Sequence, residues 1–138
     1  MADGSRARKR REPMSRVDTA WLRMERATNL MMITSVMMFE ETMSPGLEGL
    51  GPGDEVLVLT WLDRAFRDVL RVRPRDDFNR PHQGVFSTRS PDRPNPIGLH
   101  RVTIVAIDGS RVTVRNLEAL DGTPVIDVKP LLRTVHER

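Results

Sequence analysis

The chain has 138 residues, 22 basic and 19 acidic side chains for a net charge of +3, 38% hydrophobic residues and no cysteine. This is the size of one domain with attachments, and it excludes a disulfide framework, a thiol nucleophile and a thiolate metal site. The three histidines, His82, His100 and His136, lie far apart, so no metal ligand set is expected, and no run is apolar enough to span a bilayer.

The charge is uneven. Residues 1–16 hold six basic residues against two acidic ones, a net +4, which leaves −1 for everything after them. The reading is a disordered basic arm, able to attract phosphate backbones without reading sequence. No small-residue cleavage site follows an apolar stretch, so no secretion signal is expected and the cytoplasm is the default location.

Residues 17–43 differ in composition from the rest. All eight methionines fall at or before Met43, and nine of ten prolines fall after it. Asp18 to Glu25 reads as the opening of a short helix with Asp18 as N-cap. Leu30 to Phe39 is nearly continuous apolar sequence, and Ile33, Thr34, Val36 and Phe39 tilt it toward a strand. Pro45-Gly46 and Gly51-Pro52-Gly53 are turn signals. Glu55 to Leu62 reads as a central strand and Asp68 to Arg73 as another, with a polar, mobile loop over Arg75 to Gln83. Val102 to Ile107 and Arg111 to Arg115 flank Asp108-Gly109-Ser110, a hairpin in which Val112 and Val114 face in. Leu117 to Leu120 leads to a turn at Asp121-Gly122, and Val125 to Val128 is the last strand. Short strands punctuated by turns predict a mostly β fold, a small antiparallel β-barrel with an N-terminal extension whose structure stays open.

Gly84 to Gly98 stands out. Val85 and Phe86 begin it as a strand, after which Pro91, Pro94 and Pro96 fix φ and push Ser90, Arg93 and Asn95 away from helix. A stiff polar loop with two arginines has little entropy left to lose, which suits a preorganised site as well as a rigid connection. No Walker or Rossmann glycine pattern and no nucleophile–base spacing occurs elsewhere.

The run Gly-Val-Phe-Ser-Thr-Arg-Ser-Pro-Asp-Arg-Pro-Asn-Pro-Ile-Gly (84–98) resembles the signature of the TsaA-like, or TrmO, family of S-adenosylmethionine-dependent tRNA methyltransferases. Leu-Asp-Gly-Thr-Pro-Val-Ile-Asp-Val-Lys-Pro (120–130) resembles its second signature, and Pro45 to Leu50 its usual lead-in. The resemblance covers about 44–132, setting apart 1–16, 17–43 and a tail at 133–138. It implies a compact TsaA-like barrel working as a homodimer and methylating a threonylcarbamoyl-modified adenosine beside the anticodon of tRNA. Residues 17–43 instead resemble the start of wax ester synthase/diacylglycerol acyltransferases, but the adjacent-histidine motif of those enzymes is absent and their activity is not carried over. In this reading the family's N-terminal strand and cofactor-binding lead segment are replaced and no C-terminal extension follows Leu132; a barrel short of a strand exposes an edge, and Leu30 to Phe39 is a candidate to fill that gap but is not expected to.

The resemblance assigns Arg89 to the cofactor, where a guanidinium fork suits a carboxylate. It places Leu120, Asp121 and Gly122 along the cofactor pocket, with Asp121 equally able simply to shape its turn. Arg93 and Asn95 either hold the loop or touch RNA. Arg64, Arg67, Arg71, Arg73 and Arg75 are candidates for RNA phosphates or a solvated face. Asp127 and Lys129 read as structural, His100 as a satisfied half-buried histidine, and His82 as the better-placed candidate base. A non-catalytic cofactor-binding module or a relic of the family is the alternative, and nucleic-acid binding through the basic arm a third.

Overall fold

The computed structural model describes residues 20–25, 34–73 and 77–132. The basic arm, Asp18, Leu30 to Ile33, Arg75 and the tail from 133 lie outside the described residues. Among the described residues there are eight strands: β1 (Ala20–Glu25), β2 (Thr34–Phe39), β3 (Glu55–Trp61), β4 (Arg71–Val72), β5 (Gln83–Gly84), β6 (Ile97–Asp108), β7 (Arg111–Arg115) and β8 (Pro124–Pro130). Six of them form a closed antiparallel barrel in the order β1-β2-β7-β6-β3-β8. The ring closes where Ala20 and Trp21 of β1 meet Val125 and Pro124 of β8. β4 and β5 make a separate two-stranded ribbon outside it.

Alternation sets the barrel interior. In β3 Val56, Val58 and Thr60 are buried, and in β7 Val112 and Val114 are buried between more open Arg111, Thr113 and Arg115. Period-two burial is what a pleated strand with one face on a core requires. Six of the ten residues in the buried cluster are valines, because a six-stranded ring leaves room for short β-branched side chains and little else. The Asp108-Gly109 hairpin forms as its sequence predicts: Gly109 has φ 59° and Asp108 pairs with Arg111.

Four local expectations give way. Ala20–Glu25 is a strand, not the start of a helix; its pairing with β2 along six residues outweighs a weak helical propensity. The strand expected over Asp68–Arg73 shrinks to Arg71–Val72, since its only partner is the two-residue β5. Strand β5 stops at Gly84, and Val85–Ser87 turn into a 3-10 helix that buries Val85 and leaves Phe86 79% exposed. Finally, two of the six barrel strands come from residues before 44. β2 lies between β1 and β7, with Ser35 opposite Val114 and Met37 opposite Val112. Met37 is 1% exposed in the core. The apolar run ending at Phe39 therefore occupies a full place in the ring.

Candidate functional site

The proline-rich loop is held against the end of the barrel where β3 leaves and β6 enters. Leu62 N–H donates to Pro96 O, Arg93 N–H to Phe66 O, and Phe66 N–H to Asp92 Oδ1. Arg67 donates through Nε to Pro94 O at 2.7 Å and through Nη2 to Asn95 Oδ1 at 3.1 Å, while its guanidinium lies over the Trp61 ring. The segment after β3 and the loop before β6 are thus zipped into one unit. Three prolines remove donors from that loop, so side chains supply several of the bonds that shape it.

The two arginines of the loop do different things. Arg93 Nε donates to Ser90 O at 2.8 Å, and its Nη2 donates to Val85 O and Thr88 O at 2.6 and 2.5 Å. A single guanidinium therefore gathers three carbonyls of the 85–90 turn, and Arg93 with Asn95 holds the loop. Arg89 is exposed, and among the described residues nothing hydrogen-bonds or pairs with its guanidinium.

Arg89 borders a cleft of about 1010 Å³. It is lined by the proline loop with Phe86 and Thr88, by the β7–β8 connection with Leu117 to Leu120, and by Ile97 to His100 of β6. Asn116, at φ 69°, turns the chain out of β7; asparagine tolerates that conformation better than most residues. Leu117 then anchors the connection in the core at 3% exposure. The connection ends in a tight turn: Thr123 N–H and its hydroxyl both donate to Leu120 O, and Gly122 has φ 82°. Positive φ at the third position of a four-residue turn is the type II arrangement, which calls for glycine.

The predicted site residues are distributed as follows. Arg89 and Leu120 both line the cleft, and Leu120 is 59% exposed. Asp121 and Gly122 form the turn beneath it without lining the cleft. Arg93 borders it but is committed to the loop carbonyls. His82 is exposed and stands away from the cleft, whereas His100 lines it. Asp127 and Lys129 pair with each other at 2.8 Å on the outer face of the last strand. Of the arginines proposed for RNA, Arg67 is tied to the loop, Arg73 donates to Phe78 O and lies over the Phe78 ring, and Arg64 and Arg71 are exposed.

Residue-by-residue reading did not single out Thr60. Its hydroxyl, wholly buried, lies 2.9 Å from His100 Nε2. Between them comes Gly98, where an added Cβ would fall within 3.0 Å of both Thr60 Oγ1 and His100 Nε2. The glycine in Pro-Ile-Gly was the available signal, since a glycine inside a strand marks a close approach. Burial pushes the His100 pKa down from 6.5, with Glu118 acting in the opposite sense, so the ring is held neutral.

Comparison with known proteins fits this geometry. An S-adenosyl-L-methionine-binding protein of Archaeoglobus fulgidus is 45% identical over 97 residues, covering 70% of this chain and 68% of that protein. A second, a probable S-adenosyl-L-methionine-binding protein of the same organism, is 51% identical over 90 residues, 65% of this chain but only 24% of that protein. A crystal structure of TrmO superposes with a TM-score of 0.62 at 26% identity over 88% of this chain, and TrmO from Pseudomonas aeruginosa with 0.61 at 24%. The chain spans about 60% of the first of those structures. The profile of the tRNA-methyltransferase O N-terminal domain matches residues 24–137, reaching back through β2 into β1. The chain belongs to the tRNA-methyltransferase O N-terminal domain family.

Proposed function

We propose that this chain binds S-adenosylmethionine in the cleft between the proline loop and the β7–β8 connection. There it would transfer the methyl group to N6 of threonylcarbamoyl-modified adenosine next to the tRNA anticodon, in the cytoplasm and as a homodimer. The observation that carries the reading is that one cleft is lined both by Arg89, whose guanidinium has no partner among the described residues, and by exposed apolar Leu99 and Leu120. Arginine offers two parallel charge-assisted bonds to a carboxylate, and apolar walls with few polar groups suit a small organic ligand. The cleft is of the size such ligands occupy. Bound S-adenosylmethionine supplies an already activated methyl group. The chain's own contribution is then alignment and exclusion of water, and alignment alone is worth roughly 7–11 kcal/mol. Exposed Phe86 at the rim, 79% accessible, offers a face on which an unstacked anticodon-loop base can lie.

Titration with S-adenosylmethionine by calorimetry, beside Arg89→Ala, is the test. Saturable binding weakened roughly 10- to 100-fold in the variant, the worth of a charge-assisted bond pair, supports the cofactor site. Methyl transfer from labelled cofactor to tRNA supports the reaction. The second reading, a cofactor-binding module without catalysis, is favoured by the names of the archaeal relatives, which are S-adenosyl-L-methionine-binding proteins. Binding without any methyl transfer would select it.

A further inference from the structure

The barrel interior is apolar along most of its length, with Val56, Val58, Val102, Ile104, Val112 and Val114 in one cluster. At the end beneath the cleft it changes character. Thr60 and His100 meet there at 2.9 Å, and Gly98 leaves the space in which they do so. The β3–β8 register shifts between Leu59 and Thr60, where Ile126 of β8 is passed over, so an irregularity of the kind that occurs beside sites lies opposite this pair. A valine at position 60 and a larger residue at 98 would continue the apolar stack. The chain instead places a buried hydroxyl against one ring nitrogen of a histidine that opens on the cleft. Nδ1 has no protein partner among the described residues.

Resting on the reading above, we propose that His100 is the proton acceptor of the cleft. The nitrogen that receives the methyl group carries a proton it must lose. As the carbon–sulfur bond breaks, its electron pair stays on sulfur and leaves a neutral thioether. The new carbon–nitrogen bond forms, and the nitrogen's proton passes to His100 Nδ1. This requires the tautomer in which Nε2–H donates to Thr60 Oγ1 and Nδ1 carries the lone pair. A neighbouring group that accepts from one nitrogen fixes the tautomer of the other. Thr60 is then a positioning residue: it acts through the ring. The charged groups that share the cleft with the ring are Glu118 on the β7–β8 connection, Asp63 and Arg64 after β3, and Arg89, Asp92 and Arg93 on the proline loop. From β3 itself the Thr60 hydroxyl bonds the ring.

The experiment combines long-range 15N–1H spectra of the histidine rings in the full chain with single-turnover methyl transfer to unfractionated tRNA between pH 5.5 and 8. The expected spectrum shows a neutral His100 ring protonated at Nε2, changed to the other tautomer or a mixture in Thr60→Val. The expected rate climbs with pH through an ionisation below 6.5 and then levels. His100→Gln should lower it about 10²–10³-fold, within the range of general-base effects, and abolish the acid limb, measured at saturating S-adenosylmethionine. Glu118→Gln should keep the limb. A ring protonated at Nδ1, a reading that needs no variant to fold, overturns the proposal. So does a His100→Gln protein with the parent rate and pH profile. Failure of the parent chain to bind S-adenosylmethionine or to transfer its methyl group overturns the functional reading and this inference together, whereas binding and transfer indifferent to His100 overturn this inference alone.

Discussion

At the scale of single residues, three side chains separate holding from binding. Arg93 spends its donors on Ser90 O, Val85 O and Thr88 O. Its removal leaves a half-buried turn without the bonds its prolines cannot make, so Arg93→Ala should cost about 2–3 kcal/mol of stability in urea titration. Lysine should restore little of it, because a point charge does not reproduce a planar fork. Gly98→Ala drives a methyl into Thr60 and His100; overpacking of this kind costs about 1–3 kcal/mol, read as a lowered melting temperature. His100 adds a pH dependence whose sign follows from burial. Its folded pKa lies below 6.5, so the unfolded chain binds more protons between the two values. Stability is full above pH 6.5 and falls as pH drops from there through the folded pKa. His100→Gln should flatten that part of the stability–pH curve, measured by chemical denaturation at several pH values.

At the scale of elements, β2 is the informative one. Met37 sits in the core opposite Val112, and Met37→Ala should cost about 2–5 kcal/mol by equilibrium unfolding. A cost below 0.5 kcal/mol would mean that the strand is an accessory to a barrel built from the later residues. Its β character was legible, since Ile33, Thr34, Val36 and Phe39 tilt the run toward a strand; its place in the barrel was not. Methionine crowding and the shift in proline content marked 17–43 as foreign, yet Thr34 to Phe39 carries a β-branched, apolar pattern that a neighbouring edge can use. The β3, β7 and β8 strands were legible because their alternation or turn chemistry is local: Asp108-Gly109 and Asp121-Gly122 announce turns whatever surrounds them. Val85–Ser87 was not legible, since β-forming side chains say nothing about the Arg93 guanidinium that draws the carbonyls of Val85 and Thr88 inward.

At the scale of the whole molecule, the cleft joins parts distant in the chain: the loop around Arg89, the β7–β8 connection and the start of β6. Ligand bound there bridges them, and at 100 times its Kd it should stabilise the fold by about 2.7 kcal/mol. Slowed amide exchange in both 85–97 and 117–123, measured with and without S-adenosylmethionine, checks the bridging; protection confined to one segment would place the ligand elsewhere. The family's implied dimer is tested by sedimentation equilibrium, and exposed Phe66, Leu70 and Phe86 give it apolar surface to use.

The sequence by itself determined the mostly β character, the hairpin, the turn glycines and the two stretches that meet at the cleft, because alternation, proline and glycine act within a few residues of where they stand. Only the tertiary structure decided that Arg89 has no partner among the described residues while Arg93 is committed. It also decided that His100 and not His82 reaches the cleft, and that Thr60 waits beneath it. Those distinctions depend on which carbonyl or hydroxyl lies within about 3 Å of a polar atom. Pairing of β3 with β6 brings residues 40 apart in the chain to that distance, and beyond Gly98 no local signal announces it.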